Sequence, residues 1–248
     1  MKTMLTLVAL LATTPLRAGG GALTVTPAVV QLRGTFGQST TQHMSITNGT
    51  SRAAIFELVA QDVVVNNSVR AFTDAGDIAG SIAATAVFSK RSIKVAPGES
   101  AAVSVTFTIP RAAHHRAVVA LFRGQVRNNV TASIGTLFTF TLGDEIAIDT
   151  AVLDVHPQTS SSNLKVAQQC TNRGTEPVVA RGIAAVLDGA GKLVGKTSLE
   201  TRRLLPGEST KMQGEFAGDL APGRYRVLVT YDFEGRKTAT STTETVVR

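Results

Sequence analysis

Residues 101–109 read Ala101-Ala102-Val103-Ser104-Val105-Thr106-Phe107-Thr108-Ile109, and this stretch decides the fold. Its odd positions are all apolar, while Ser104, Thr106 and Thr108 alternate with them. Wound as a helix, the apolar side chains scatter around the cylinder; drawn out as a strand, they form one row on one face. The same two-residue period returns in Gln42, Met44, Ile46, in Phe138, Phe140, Leu142, and in Tyr225, Val227, Val229, Tyr231, Phe233. Threonine and valine dominate these stretches, which suits a pleated sheet. Turn-forming pairs interrupt them at Asn48-Gly49, Asn66-Asn67, Pro97-Gly98, Asn128-Asn129, Asp188-Gly189, Pro206-Gly207, Pro222-Gly223 and Glu234-Gly235. Many short strands so punctuated predict sandwiches, not alternating strands and helices. Ala112–Phe122 is the segment that best tolerates a helix, since Val118, Leu121 and Phe122 can share one helical face.

An internal repeat decides for strands and sets the domain count. Pro97-Gly98-Glu99-Ser100 recurs as Pro206-Gly207-Glu208-Ser209, and Phe107 recurs as Phe216 at the same offset of 109. Upstream, Ile46-Thr47-Asn48 has its counterpart in Cys170-Thr171-Asn172. A Pro-Gly turn feeding an alternating strand, twice, predicts two copies of one plan. The chain is therefore expected to be all-β, two immunoglobulin-like β-sandwich domains in tandem, over 23–143 and 144–248. Residues 111–122 then correspond to 223–233 and are predicted to be a strand opening with a loose turn. The join near Gly143–Ile146 holds no Pro/Ser-rich linker, which predicts a restricted hinge.

Within the 248 residues, the first stretch stands apart. Residues 1–18 carry Lys2, an apolar run Met4–Ala12 and a small residue at Ala18, the layout of a secretory signal peptide cleaved at Ala18 or at Ala22. The apolar run falls well short of the roughly 20 residues a bilayer crossing needs. No second apolar span follows, so the expected product has no transmembrane span and is periplasmic or extracellular. Its removal takes Lys2 and Arg17 from a formal charge of +7, leaving a mild basic excess. Without tryptophan, and with two tyrosines, the chain lacks the interleaved aromatics of a nucleic-acid surface, and no nucleic acid is expected. Cys170 is the single cysteine. It excludes an intrachain disulfide, and its alternation with Leu164 and Val166 predicts a small buried hydrophobe.

The residues Leu23–Leu142 resemble the periplasmic chaperones of pilus assembly, the PapD-like proteins. The resemblance lies in an opening strand Leu23–Leu32 closing on Gly34, the strand and turn His43–Gly49, the strand Ile55–Ala60, the run Val95-Ala96-Pro97-Gly98-Glu99, and Ile109-Pro110 leading to Arg116–Phe122. It implies a chaperone-like protein that binds an extended strand of an exported or pilus-type subunit by β-strand addition. It also implies a last strand of the first domain, here Thr136–Leu142, offering Phe138, Phe140 and Leu142 to the client along an uncovered edge. In that family an arginine of the first strand and a lysine of the last bind the client's terminal carboxylate. This chain has Val29 at the first position and Thr139 or Thr141 at the second. Arg33 and Arg116 are the candidate basic contacts.

No catalytic chemistry is legible. There is no Gly-x-Ser-x-Gly elbow, no His-Glu-x-x-His and no phosphate-binding glycine loop. His43, His114, His115 and His156 are scattered, and adjacent strand residues such as His114 and His115 point to opposite faces, so no metal site is expected. Neither a cofactor nor a small-molecule substrate is expected, and the chain reads as no enzyme. Along the strand from residue 116, Arg123 and Arg127 are predicted to share a face opposite Arg116. Asn48, Asn66 and Asn129 stand in glycosylation sequons. The leading reading is a chaperone whose partner is an exported or surface-assembled polypeptide. The alternative is a non-catalytic structural or adhesion module of the cell surface, whose strand edges would be blunted by charge or bulges.

Overall fold

A computed structural model describes residues 22–126, 129–157, 163–218 and 220–247; the sequence-predicted signal peptide lies outside them. The described chain is built from strands, with one short 3-10 turn at Ala83–Thr85. It divides into two compact units, one formed by the chain up to Val64 with Ala71–Leu142, the other by Val65–Arg70 with Gly143–Arg248.

The first unit is a sandwich of two sheets. Strands β1 (Leu23–Thr26), β3 (Ser39–Asn48), β8 (Ser100–Thr108) and β6 (Val87–Phe88) form one, in the order β1-β3-β8-β6. Strands β2 (Val29–Arg33), β10 (Asn129–Thr141), β9 (Ala117–Val126), β4 (Ala54–Asn66) and β5 (Val69–Asp74) form the other in that order, with β7 (Ser92–Val95) added on β4. The stretch 101–109 lies where its period predicts: Val103, Val105, Phe107 and Ile109 are buried, and Thr106 and Thr108 meet Thr41 and Ser39 on the outer face. The Phe107 ring packs against Phe138 and Phe140, with centroids 5.1 and 5.7 Å away. Residues 111–116 form the loose turn, and β9 follows as a strand. One expectation changes. The opening strand read as continuous over Leu23–Leu32 is two strands in different sheets: β1 pairs with β3, and after Pro27 the chain crosses so that β2 pairs with β10.

The second unit repeats the plan. Strand β13 (Leu164–Asn172) takes β11 (Ile148–Thr150) and β12 (Asp154–Pro157) on one side and β16 (Ser209–Phe216) on the other. The facing sheet runs β15-β14-β17-β18, from β15 (Leu193–Leu204), β14 (Val178–Asp188), β17 (Gly223–Phe233) and β18 (Thr238–Val247). Cys170 is fully buried in this core, as its alternation predicts.

The repeat noted in the sequence is a repeated hydrogen-bond knot. Asn48, fully buried, donates from Nδ2 to the carbonyls of Arg52 (2.8 Å) and Val95 (3.0 Å) and accepts at Oδ1 from the Thr50 amide (3.0 Å). Asn172, also fully buried, donates to the carbonyls of Glu176 (2.8 Å) and Leu204 (3.2 Å) and accepts from the Gly174 amide (2.9 Å). Gly98 and Gly207, both at positive φ in their Pro-Gly turns, donate their amides to the carbonyls of Asn48 and Asn172. Each asparagine thus ties three strand ends and one turn together. The Asn48 sequon is thereby closed in the folded chain, since both side-chain heteroatoms are engaged inside.

Candidate functional site

The functional candidate from sequence was the last strand of the first unit, and its two halves differ. Along its lower half β10 is covered on both edges: β9 pairs on one side, and β2 pairs in parallel on the other, from Leu137 opposite Val29 to Thr141 opposite Arg33. The crossover from β1 arrives at this level. Thr136 Oγ1 donates to the Pro27 carbonyl (2.6 Å), and the Leu137 amide donates to Ala28 (3.0 Å). Above that point β10 continues from Thr136 back to Asn129, paired with β9 alone among the described residues.

Alternate residues of a strand turn their amides to opposite sides. The Leu137 amide faces the β2 side and the Phe140 amide bonds the Arg116 carbonyl on the β9 side. Gly135 and Ser133, in step with Leu137, therefore turn their N–H and C=O groups to the open edge. On the sandwich-facing side, Phe140, Phe138 and Thr136 are buried, Ile134 is half-buried and Ala132 is exposed. β10 outlasts the core that covers it. Across the seam β1 pairs with β3 alone among the described residues, and its Leu23 and Val25 are, like Ile134, partly buried apolar residues packed against the core. Two strand edges thus flank one apolar seam.

This arrangement corrects the sequence reading of Phe138, Phe140 and Leu142. The uncovered edge expected over Thr136–Leu142 is occupied by β2, and both phenylalanines are fully buried beside Phe107. Leu142 is partly buried against the same core. The row is apolar because it faces its own domain. Arg116 is corrected as well. It is 7% exposed, donates from Nη1 to the Ala113 carbonyl, and stacks over the Phe36 ring with Cζ 5.4 Å from its centroid. It braces the turn before β9 instead of presenting charge. Arg33 ends β2 with its side chain exposed, on the face opposite Arg116. The two arginines are not brought together. Arg123 lies on the face opposite Arg116, as alternation predicts, while Arg127 is outside the described residues.

Sequence reasoning missed Asp62. It is 1% exposed at an inward position of β4, where its carboxylate accepts the Ser81 hydroxyl (2.5 Å) and the amides of Ile82 and Ala83 (both 3.1 Å), holding the 3-10 turn onto the core. An acid at an apolar parity position of a strand was the available signal. Burial pushes the Cys170 thiol up from its ordinary 9.0 to about 11, against the opposing pull of the neighbouring Tyr231 hydroxyl. Among the described residues, no three His, Cys, Asp or Glu side chains are grouped to hold a metal, and no helix is long and apolar enough to cross a membrane.

No protein-family model matches the sequence, and no curated protein matches it. Solved structures to which the chain is similar include fimbrial chaperones. The class 5 fimbriae chaperone CfaA shares 12% identity over 91% of this chain and 98% of its own, with a TM-score of 0.43. The CsuC–CsuE chaperone–tip adhesion subunit pre-assembly complex of the archaic chaperone-usher Csu pili of Acinetobacter baumannii gives 8% identity over 89% and 97%, with a TM-score of 0.43. The E. coli chaperone DraB gives 11% identity over 92% and 96%, with a TM-score of 0.39.

Proposed function

We propose that this protein is a chaperone-like binding protein of the export route, which holds an extended strand of an exported or pilus-type polypeptide by β-strand addition. The strand lies on the upper half of β10. The observation that carries this is the edge itself. Ser133 and Gly135 turn to that edge backbone donors and acceptors with no strand partner among the described residues, and the half-buried Ile134 sits beside them where the domain's own core gives out. A guest strand satisfies those groups as the next strand of the sheet, and its alternate apolar side chains cover Ile134, Leu23 and Val25. The protein supplies binding and shielding, with no bond made or broken.

The test is site-specific photo-crosslinking in an exporting host, with a benzophenone amino acid at Ala132 and, as control, at Thr41 on the outer face of the opposite sheet. Adducts with exported polypeptides are expected from position 132 and not from 41. They should disappear when Ser133→Pro is added, because its amide faces the open edge and the β9 ladder stays intact. Adducts that survive Ser133→Pro, or equal yields from both positions, would count against strand addition.

A further inference from the structure

The second unit carries an open edge of its own. In the first unit the chain's opening segment crosses to pair with the last strand; in the second, β11 and β12 both stay on β13, and among the described residues β18 is left with β17 as its single strand partner. The β17–β18 pairing runs without a register break from Asp232 opposite Thr238 to Gly223 opposite Val247. The Phe233 amide bonds the Lys237 carbonyl (3.0 Å). By alternation, Thr238, Thr240, Thr242, Glu244 and Val246 turn their N–H and C=O groups away from β17, and no backbone partner for them exists among the described residues. Their side chains are all exposed.

Natural edges are blunted by charge, proline, bulges or brevity. β15 carries Lys196, Glu200, Arg202 and Arg203, β12 ends on Pro157, and β6 spans two residues. β18 has neither proline, bulge nor brevity, and a single charge. It is ten residues long, free of proline and lysine, and its one charge, Glu244, is turned toward Arg226 of β17 at 4.0 Å.

We propose that β18 pairs with β18 of a second copy of this chain, antiparallel about a two-fold axis through Thr242. That register is the one that engages all five outward-facing residues: Thr242 with its own mate, Thr240 with Glu244, and Thr238 with Val246. It brings no like charges together and sets threonines opposite one another, a favourable cross-strand pair. The two four-stranded sheets become one eight-stranded sheet, closed by its symmetry. A contact of a single strand pair is small, so the dimer is weak.

Sedimentation velocity of the purified chain over a wide concentration series tests this. A monomer–dimer equilibrium is expected for the wild type. Thr242→Pro, which removes an edge-facing amide and leaves the β17 ladder in place, should raise the dissociation constant at least about tenfold. Thr242→Cys should give a symmetric disulfide-linked dimer on mild oxidation, since Cys170 is buried. A wild type that stays monomeric throughout, or a dimer indifferent to Thr242→Pro and uncrosslinked by Thr242→Cys, would overturn the proposal. The photo-crosslinks from Ala132 are independent of either outcome.

Discussion

Single residues hold the two sandwiches at equivalent points. Replacing Asn48 or Asn172 by alanine strands buried carbonyls and amides of neighbouring strand ends, at a cost of about 2–4 kcal/mol. The chain has no tryptophan, and both tyrosines, Tyr225 and Tyr231, are in the second unit. Urea unfolding followed by tyrosine fluorescence should therefore move to lower denaturant for Asn172→Ala, while the shift for Asn48→Ala should appear in the circular-dichroism transition. Cys170 offers a second check. Its thiol is fully buried and shifted up to about 11, so a disulfide reagent should leave it unmodified in the native protein and label it in denaturant. The sign of the linkage follows: the unfolded thiol ionises near 9.0 and the folded one near 11. Its contribution is full below about pH 9 and is lost as pH rises through the folded value, by at most about 3 kcal/mol. A pH titration of the unfolding midpoint measures it.

Strands were legible wherever one face meets a core and the other meets water, because that contrast is what imposes the period of two. Asn48 and its Pro-Gly partner were visible too, since their repetition marks a shared local geometry. The crossing at Thr26–Pro27 was not legible: Leu23, Val25, Val30 and Leu32 face one continuous core from two different sheets, so composition does not change where the chain switches. The role of Phe138 and Phe140 was misread for a related reason. An apolar row announces burial without saying whose interior covers it. Close approaches were equally silent. Phe216 lies between two glycines, and a Cβ added at Gly195 or Gly218 would come within 2.5 and 2.7 Å of its ring. Gly195→Ala should accordingly destabilise the second unit by about 1–3 kcal/mol, read as an earlier tyrosine-fluorescence transition.

At the scale of the molecule, one sandwich plan is used twice with different treatment of the last strand. Among the described residues, the opening segment of the first unit covers one edge of β10 along its lower half and leaves that edge open above it; in the second, the edge of β18 away from β17 is open along its length. The placement of a strand edge depends on which partner stops where, and sequence periodicity carries no record of that. This is why the fold could be read while the cover that β2 lays over Phe138, Phe140 and the end of β10 could not. Residue-resolved amide hydrogen exchange along β10 measures that placement. Slow exchange is expected at Leu137 and Thr139, whose amides face β2, and fast exchange at Ser133 and Gly135, which slows when a client strand is bound. Protection at Ser133 and Gly135 in the free protein equal to that at Leu137 would contradict it.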